Sequence, residues 1–388
     1  MRIEDFDQVF DRRHTGSVKW SQDDLIPMWV ADMDFAISEP LRECIQKRAA
    51  HPIFGYANED PEWAKAYADF WKDVFGLSLK EENLHFAHGV VPIVSSAVRA
   101  FTKPGEEVLL MTPVYNVFYH SVENNDRRIS ACSFVYENGE YHIDFSDLER
   151  RMASPDCHFM VLCNPQNPLG RLFLKEELAE IARLAKKYSI IVLSDEIHCL
   201  ISEPGQPYTP YLSSCPEAEE TGLCAFSPTK AFNLAGIQTA AVYSHRDDLA
   251  KAIAVQLNID ECNEPNAFSY PCAIAAFRDS RQYLIDLNQI ISRNRKLATE
   301  FFEKECPLFH TVPQNATYLL WVDISKLTKD DEAFAKFLKE KAKVWVTEGS
   351  HYGEEGKGFL RINIACPLTT LEEGLRRIKL GYDHFPHC

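Results

Sequence analysis

The central part of the chain alternates short apolar runs with amphipathic stretches. The apolar runs cover residues 107–111, 158–163, 189–193, 222–226 and 240–243. Between them, the clearest helical pattern spans 174–188 and places Leu178, Ile181 and Ala185 on one face. Short buried strands that alternate with helices are typical of a parallel sheet that helices cover on both faces. The pattern therefore predicts an α/β fold with a mainly parallel sheet.

The flanking regions follow other patterns. Before the apolar runs, a short strand is predicted over 84–87. Helices are predicted over 40–50, 61–75, 93–101, 283–303, 331–343 and 370–381, and further strands over 318–322 and 344–346. The change of pattern near residue 280 indicates a domain boundary. We predict that 46–279 forms the large domain, that 280–388 forms a smaller α+β domain, and that 1–45 joins the smaller one.

Charge limits the partners of this chain. It has 41 basic and 57 acidic side chains, which give a formal net charge of −16. Nucleic acids and anionic membrane surfaces attract basic proteins, so we expect no nucleic-acid partner and no membrane surface as a partner. No uninterrupted apolar run approaches the roughly 18 residues that cross a bilayer, and the first residues lack the apolar core of a secretory signal.

The cysteines indicate a reducing compartment. All 12 are scattered along the chain, with no CxxC pair and no Cys/His spacing of the kind that binds a metal. Disulfide frameworks and zinc sites both have characteristic short spacings between their ligands. We therefore expect reduced thiols, a cytoplasmic location and no metal site.

Polar side chains follow four of the apolar runs, at the point where each strand is predicted to end. Tyr115 follows the first run, Asn167 the second, Asp195 the third and Lys230 the fourth. Because the carboxyl ends of parallel strands meet at one edge of a sheet, we expect these side chains to converge there. A lysine, a carboxylate, an amide and an aromatic ring are thereby brought to one site.

This combination of side chains suits pyridoxal 5'-phosphate. Lys230 supplies an amine for a Schiff base with the aldehyde, and Asp195 keeps the pyridine nitrogen protonated. Asn167 donates a hydrogen bond to the phenolic oxygen, and Tyr115 stacks on the ring. Taken singly, each residue has a more ordinary explanation. Lys230 could be a solvated charge and Asp195 a helix cap. Asn167 could be a turn residue and Tyr115 a core residue. The four together favour the cofactor.

A phosphate site is predicted next to this group. Gly89 and Val90 precede the helix predicted over 93–101, and the free N–H groups at a helix N-terminus attract anions. The hydroxyl of Ser227, three residues before Lys230, is a further candidate donor.

With these residues identified, the chain resembles the fold-type I pyridoxal-phosphate enzymes of the aspartate aminotransferase superfamily. It is most similar to the carbon–sulfur lyases of the MalY/PatB type, which include cystathionine beta-lyase and cystalysin. The motifs that carry the resemblance are DRR at 11–13, SVKW at 17–20, WVADMDF at 29–35, GVVP at 89–92, NPQNP at 164–168, SDEIH at 194–198, KAFNLAG at 230–236 and RINIACP at 361–367. The resemblance implies a seven-stranded, mainly parallel sheet in the large, cofactor-binding domain.

The resemblance also implies further roles. Lys230 would remove the α proton of the substrate, and Arg361 would hold the substrate carboxylate. Ala31 and Asp32 would lie close to the bound amino acid, although an aspartate there is equally typical of a structural cap. Tyr56 would reach the cofactor phosphate of a neighbouring subunit, which implies a homodimer with shared active sites.

Two more residues, Val91 and His198, belong to the cofactor-binding set that the resemblance implies. The chain also departs from its relatives. Gln238 stands where aminotransferases often carry a phosphate-binding arginine, Ala316 where a glycine is common, and Leu200 where many relatives have an acid.

The leading functional hypothesis is β-elimination from an L-amino acid that carries sulfur on its β carbon. The products would be a thiol, pyruvate and ammonia. Transamination needs the same residues and is the first alternative. A regulatory binding protein that retains the fold is the second.

Overall fold

The computed structural model describes residues 3–386 and contains a seven-stranded sheet. The strands of the chain are β1 (Ile26–Pro27), β2 (Leu84–Ala87), β3 (Glu107–Thr112), β4 (Arg128–Ser133), β5 (Val135–Glu137), β6 (Glu140–His142), β7 (Cys157–Cys163), β8 (Ile191–Asp195), β9 (Gly222–Phe226), β10 (Ala240–Tyr243), β11 (His310–Thr311), β12 (Leu319–Asp323), β13 (Val344–Trp345), β14 (Thr347–Glu348) and β15 (Phe359–Asn363). The large sheet has the order β2-β10-β9-β8-β7-β3-β4. Only β10 runs antiparallel to its neighbours in this sheet. The predicted fold class is therefore confirmed.

Helices cover both faces of the large sheet. The α-helices are α1 (Glu39–Ala49), α2 (Pro61–Phe75), α3 (Val90–Phe101), α4 (Val117–Glu123), α5 (Phe145–Met152), α6 (Lys175–Tyr188), α7 (Pro216–Thr221), α8 (Asp247–Ile259), α9 (Ser269–Asp279), α10 (Arg281–Glu305), α11 (Asp331–Phe337) and α12 (Leu368–His384). Alternate side chains of β3 enter opposite cores: Leu109 and Met111 belong to one, Val108 and Leu110 to the other. This two-sided burial explains why the strand reads as a continuous apolar run.

A second sheet has four strands in the order β11-β12-β15-β14 and is antiparallel throughout. Near it, β1 pairs in parallel with β13, which ties the N-terminal segment to the C-terminal part of the chain. The strand predicted over 344–346 corresponds to β13, which ends at Trp345, and β14 begins at Thr347. The helix predicted over 331–343 leaves the α form after Phe337 and continues as a π-helix over Leu338–Ala342. The domain limits at residues 45 and 279 stay a prediction.

Seven strands were not predicted, namely β1, β4, β5, β6, β11, β14 and β15, and two of them show why. The edge strand β4 has several half-exposed positions, so it lacks an apolar run. In contrast, β15 is buried throughout but carries Arg361 and Asn363 among its apolar residues. Within residues 3–386, we find no helix whose length and apolar character would allow it to span a bilayer.

Candidate active site

A cavity of about 280 Å³ lies at the carboxyl ends of the central strands of the large sheet. Its wall contains most of the residues predicted from the sequence, namely Ala31, Gly89, Val90, Val91, Tyr115, Asn167, Asp195, His198 and Lys230. Residues that were not predicted to bind cofactor or substrate complete it: His88, Pro92, Cys163, Ile197, Thr229, Ala235 and Gln238. The parallel topology thus brings together side chains that are far apart in the chain.

Lys230 projects from the turn that follows β9. Its Nζ donates a hydrogen bond to the carbonyl oxygen of Ala31 at 2.7 Å. Burial lowers the pKa of the Lys230 amine to about 8, and the nearby positive charge of Arg361 acts in the same direction. Asp32 and Asp195 oppose this shift. A substantial neutral fraction of the amine is therefore present near neutral pH, as a nucleophile or a base requires.

We expect Lys230 in cofactor-free protein to be acylated with a midpoint near pH 8, because only the neutral amine reacts and its pKa is lowered to about 8. The rate rises with pH up to this midpoint, whereas an ordinary lysine reaches its midpoint only above about pH 10. Peptide-level mass spectrometry after brief acetylation between about pH 6 and about pH 11 measures both. Lys296, whose side chain is 77% exposed, is the internal control. Identical profiles for the two lysines would contradict the expectation.

Asp195 ends β8 and is buried in the cavity wall. Its Oδ1 accepts the backbone N–H of Ile197 at 3.0 Å. Burial raises the pKa of the Asp195 carboxyl to about 7, with a further contribution from the neighbouring Glu196, while Lys230 lowers it. A buried carboxylate that faces a cavity is stabilised when a cation occupies the space beside it. Asp195 therefore fits the protonated nitrogen of pyridoxal 5'-phosphate.

His198 is buried beside this carboxylate and also lines the cavity. Burial, together with the charges of Lys230 and Arg361, lowers the pKa of its imidazole to about 3. Among the described residues, Nδ1 of His198 has no hydrogen-bond partner. The imidazole is therefore neutral.

Arg361 lies on β15 and is joined to the cavity through Asn167. Its Nη1 donates to Oδ1 of Asn167 at 3.1 Å, and its Nη2 donates to the carbonyl oxygen of Trp29 at 2.9 Å. The guanidinium carbon lies 4.7 Å from the ring centre of Tyr352, in a cation–π contact. Nε of Arg361 is buried and has no partner among residues 3–386. Since Oδ1 of Asn167 accepts from Arg361, its amide nitrogen is free to donate to a ligand.

The phosphate end of the cavity agrees only in part with the prediction. Gly89 caps the N-terminus of α3, and Val90 and Val91 form its first turn, where backbone N–H groups lack partners within the helix. Ser227, however, does not line the cavity. Its hydroxyl donates to the carbonyl oxygen of Thr239 at 2.8 Å and accepts the N–H of Thr229 at 3.1 Å. Thr229 occupies the wall in its place.

Besides Ser227 and Arg361, two other predicted residues lie outside the cavity wall. The carboxylate of Asp32 accepts hydrogen bonds from Arg12 at 3.1 and 2.7 Å, so it does not face the space beside Lys230. Tyr56 is 100% exposed and lines a separate open cavity of about 770 Å³. Within one chain, Tyr56 therefore has no contact with the site that it was predicted to serve.

No group of His, Cys, Asp and Glu with the arrangement of a metal site is present among the described residues. The chemistry of the cavity is instead that of the Lys230 amine, the Asp195 carboxylate, the Asn167 and Gln238 amides, imidazole rings and a helix N-terminus. Taken together, these groups define an enzyme site built for a carbonyl-bearing, phosphorylated aromatic cofactor.

Comparisons with known proteins identify the family. Residues 24–378 match the family described as aminotransferase class I and II, and the chain belongs to it. This confirms the resemblance drawn from the motifs. Cystathionine beta-lyase PatB of Bacillus subtilis is 36% identical over 382 residues, and the match covers 96% of this chain and 98% of the relative.

Solved structures agree with this assignment. Cystalysin from Treponema denticola, which contains a pyridoxal 5'-phosphate cofactor, has a TM-score of 0.95 and 29% identity, and the match covers 98% of this chain and 99% of that chain. A PLP-bound putative aminotransferase from Clostridium difficile has a TM-score of 0.94 and 31% identity, with 97% and 99% covered. The similarity thus extends over nearly the whole of each chain.

Proposed function

We propose that this chain is a pyridoxal-phosphate-dependent carbon–sulfur β-lyase that converts β-thio L-amino acids into a thiol, pyruvate and ammonia. The observation that carries the proposal is the placement of Lys230, with its lowered pKa, in one cavity with Asp195 and next to Arg361. The names of the relatives, cystathionine beta-lyase and cystalysin, favour elimination over other reactions of such a site.

The residues of the chain would hold the cofactor at three points. Lys230 would bind its carbonyl carbon, Asp195 would pair with its pyridine nitrogen, and the N-terminus of α3 at Gly89 and Val90 would receive its phosphate. When bound, pyridoxal 5'-phosphate supplies an electron sink for the pair of electrons left behind when a substrate loses its α proton. Tyr115 and Asn167, which line the same cavity, complete the walls around the ring.

Substrate chemistry is assigned to the amine and the guanidinium. Arg361 holds the substrate carboxylate, a task that suits its two-pronged geometry. The substrate amine would first replace Lys230 on the cofactor, and the freed neutral amine of Lys230 would then accept the α proton, because its pKa of about 8 is close to the working pH. The C–S bond at the β carbon breaks, the thiol departs with the bonding electrons and a proton, and water converts the remaining fragment into pyruvate and ammonia.

Pyruvate release without any added keto acid tests the proposal. Purified enzyme is incubated with cystathionine, cystine, cysteine and alanine, and pyruvate is followed by a coupled lactate dehydrogenase assay. Continuous turnover is expected with the β-thio amino acids. Alanine, which has no leaving group on its β carbon, is the matched control. Absence of pyruvate with every β-thio amino acid would contradict the proposal.

Transamination is the second candidate, because one of the similar structures is named as a putative aminotransferase. It uses the same lysine and carboxylate but requires a keto acid to regenerate the cofactor. Turnover of an amino acid that depends strictly on an added keto acid, with no net pyruvate from cysteine or cystathionine, would support this reaction instead.

We further propose a homodimer with shared active sites. Ile53, Phe54 and Tyr56 are exposed by 68%, 55% and 100% respectively, which is a costly surface for an isolated chain in water. The open cavity that Tyr56 lines shares His88 with the active-site cavity. A segment of a second copy seated there would lie next to the phosphate end.

Eleven free thiols among the described residues support a reducing, cytoplasmic location.

Mixing two impaired variants is expected to restore activity if the sites are shared. Tyr56→Ala and Lys230→Ala homodimers each have two damaged sites, whereas a heterodimer has one site with both lesions and one intact site. After unfolding and refolding together in equal amounts, activity of roughly a quarter of wild type is expected, since about half of the dimers are mixed. Size-exclusion chromatography verifies assembly. If the mixture shows only the average of the two separate activities, Tyr56 serves its own subunit.

A further inference from the structure

The 29–35 segment passes along the active site without helix or strand structure. Ala31, near its centre, lines the cavity, and its carbonyl oxygen accepts two hydrogen bonds. One comes from Lys230 Nζ at 2.7 Å and the other from the hydroxyl of Tyr318 at 3.1 Å. The position of this backbone therefore sets the position of the amine.

Side chains from the core hold other carbonyl groups of the 29–35 segment. Nδ2 of Asn363 donates to the carbonyl oxygens of Val30 and Asp32 at 2.6 and 2.8 Å. Nδ2 of Asn233 does the same for two carbonyl groups further along, at 3.1 and 2.8 Å. The segment lacks its own regular hydrogen bonds, so it depends on these side chains for its conformation.

Lys19 also binds the 29–35 segment. Its side chain is 1% exposed, although lysines are rarely buried unless they are paired. Nζ of Lys19 donates to the carbonyl oxygen of Asp32 at 2.7 Å and lies 2.8 Å from Oδ2 of Asp34. The ammonium group of Lys19 thus binds the backbone carbonyl of Asp32 and the carboxylate of Asp34 at the same time.

Arg12 and Trp20 complete the pairing of the two carboxylates. Arg12 donates to Asp32 and, at 2.7 Å, to Oδ1 of Asp34. Nε1 of Trp20 donates to the same oxygen of Asp34 at 2.8 Å. The two cations and two carboxylates balance in charge. Loss of Lys19 would leave Asp34 paired with Arg12 but would leave the carbonyl of Asp32, one residue from Ala31, with Asn363 as its remaining side-chain donor.

We propose that Lys19 is a positioning residue for the reaction: by fixing Asp34 and the carbonyl of Asp32, it places the Ala31 carbonyl where it receives the amine of Lys230. Its catalytic consequence rests on the proposed function, whereas its effect on the amine does not. Without Lys19, the backbone at Ala31 has more freedom, and Lys230 is held less well at the point from which it reaches the α carbon.

The test compares Lys19→Met and Asp34→Asn with wild type in two measurements. The first is the acetylation profile of Lys230 against pH in cofactor-free protein. The charges that act on the Lys230 amine are those of Arg361, Asp32 and Asp195. A weakened carbonyl acceptor destabilises the ammonium form, so the midpoint is expected to move to lower pH in both variants.

The second measurement is pyruvate release by the cofactor-loaded enzyme. A fall in kcat of roughly 10- to 100-fold is expected, with KM within about 3-fold of wild type, because misplacement of a reacting group affects the chemical step. Lys296→Met, at an exposed position of α10, is the matched control and is expected to change neither quantity. Circular dichroism and thermal melting report whether each variant folds.

An unchanged Lys230 midpoint overturns the proposal, even if the variants melt at lower temperature, because a purely structural role would lower stability alone. If Lys19→Met does not fold, Asp34→Asn decides, since it keeps the shape of the side chain and removes the anion that Lys19 binds. The acetylation measurement needs no turnover. A wild-type enzyme that releases no pyruvate would therefore count against the proposed reaction and leave this measurement intact.

Discussion

Lys230→Ala is expected to lower kcat for pyruvate release on the order of 10⁴-fold, the upper end of what a single general base contributes. The variant loses both the covalent anchor for the cofactor and the acceptor of the α proton. Steady-state assays with cystathionine at saturating cofactor measure the loss. Lys296→Ala, at a position exposed by 77%, is the control for removing a lysine elsewhere.

The cofactor content of the Lys230→Ala variant separates the two roles. Absorbance spectra of the dialysed protein are expected to show weaker retention of the cofactor, because only noncovalent contacts remain. Primary amines added to the assay partly replace the missing base if Lys230 moves the proton. Pyruvate release within about 10-fold of wild type would show that another residue does so.

Asp195→Asn is expected to lower kcat roughly 10³-fold. Opposite unit charges about 4 Å apart at an effective dielectric constant near 20 interact by about 4 kcal/mol, and each 1.36 kcal/mol corresponds to a factor of ten. The amide keeps the size of the side chain and its place at the end of β8 but removes the negative charge that favours a cation in the cavity. The assay is the same as for Lys230→Ala.

Glu196→Gln is the matched control for Asp195→Asn. Glu196 is also fully buried, and burial raises the pKa of its carboxyl to about 7. It faces away from the cavity, because Oε1 accepts hydrogen bonds from Ser194, the backbone of Tyr211, and Cys224 at 3.0, 2.9 and 3.1 Å. A smaller effect on kcat is expected. Equal losses in the two variants would argue for a general effect of buried charge rather than for a specific role of Asp195.

The large sheet was predictable because its central strands are buried on both faces and therefore read as apolar runs. The strand β15 was missed because buried polar residues interrupt its apolar pattern. Arg361 and Asn363 on this strand are buried because they bind other groups: Arg361 contacts Asn167, and Asn363 holds carbonyl groups near Ala31. Polar residues that serve a site interrupt the periodicity by which strands are recognised.

The convergence of Tyr115, Asn167, Asp195 and Lys230 was also predictable, since parallel topology alone brings strand ends together. Which hydroxyl group of the turn after β9 faces the cavity could not be predicted. Ser227 and Thr229 are two residues apart, and only the hydrogen bonds of the turn decide that Thr229 faces the cavity.

The role of Lys19 was beyond prediction for a related reason. Its partners Asp32 and Asp34 lie on a later stretch of the chain, and β1, which pairs with β13, lies between them and Lys19. Local sequence patterns describe which residues share a helix or strand, but they do not describe which irregular segments meet. The contacts between the motifs at 17–20 and 29–35, which lie outside helices and strands, could therefore be identified only from the fold.

The shared acceptor at Ala31 has a consequence for repeated turnover. A buried carbonyl that loses its only donor is costly, by about 1–3 kcal/mol. The oxygen of Ala31 also accepts the hydroxyl of Tyr318, whose pKa burial raises, so this donor keeps its proton at every working pH. Lys230 can therefore leave that oxygen and come back in each cycle without stranding a polar atom. Movement of the Lys230 amine away from Ala31 therefore leaves the carbonyl oxygen with a hydrogen-bond donor.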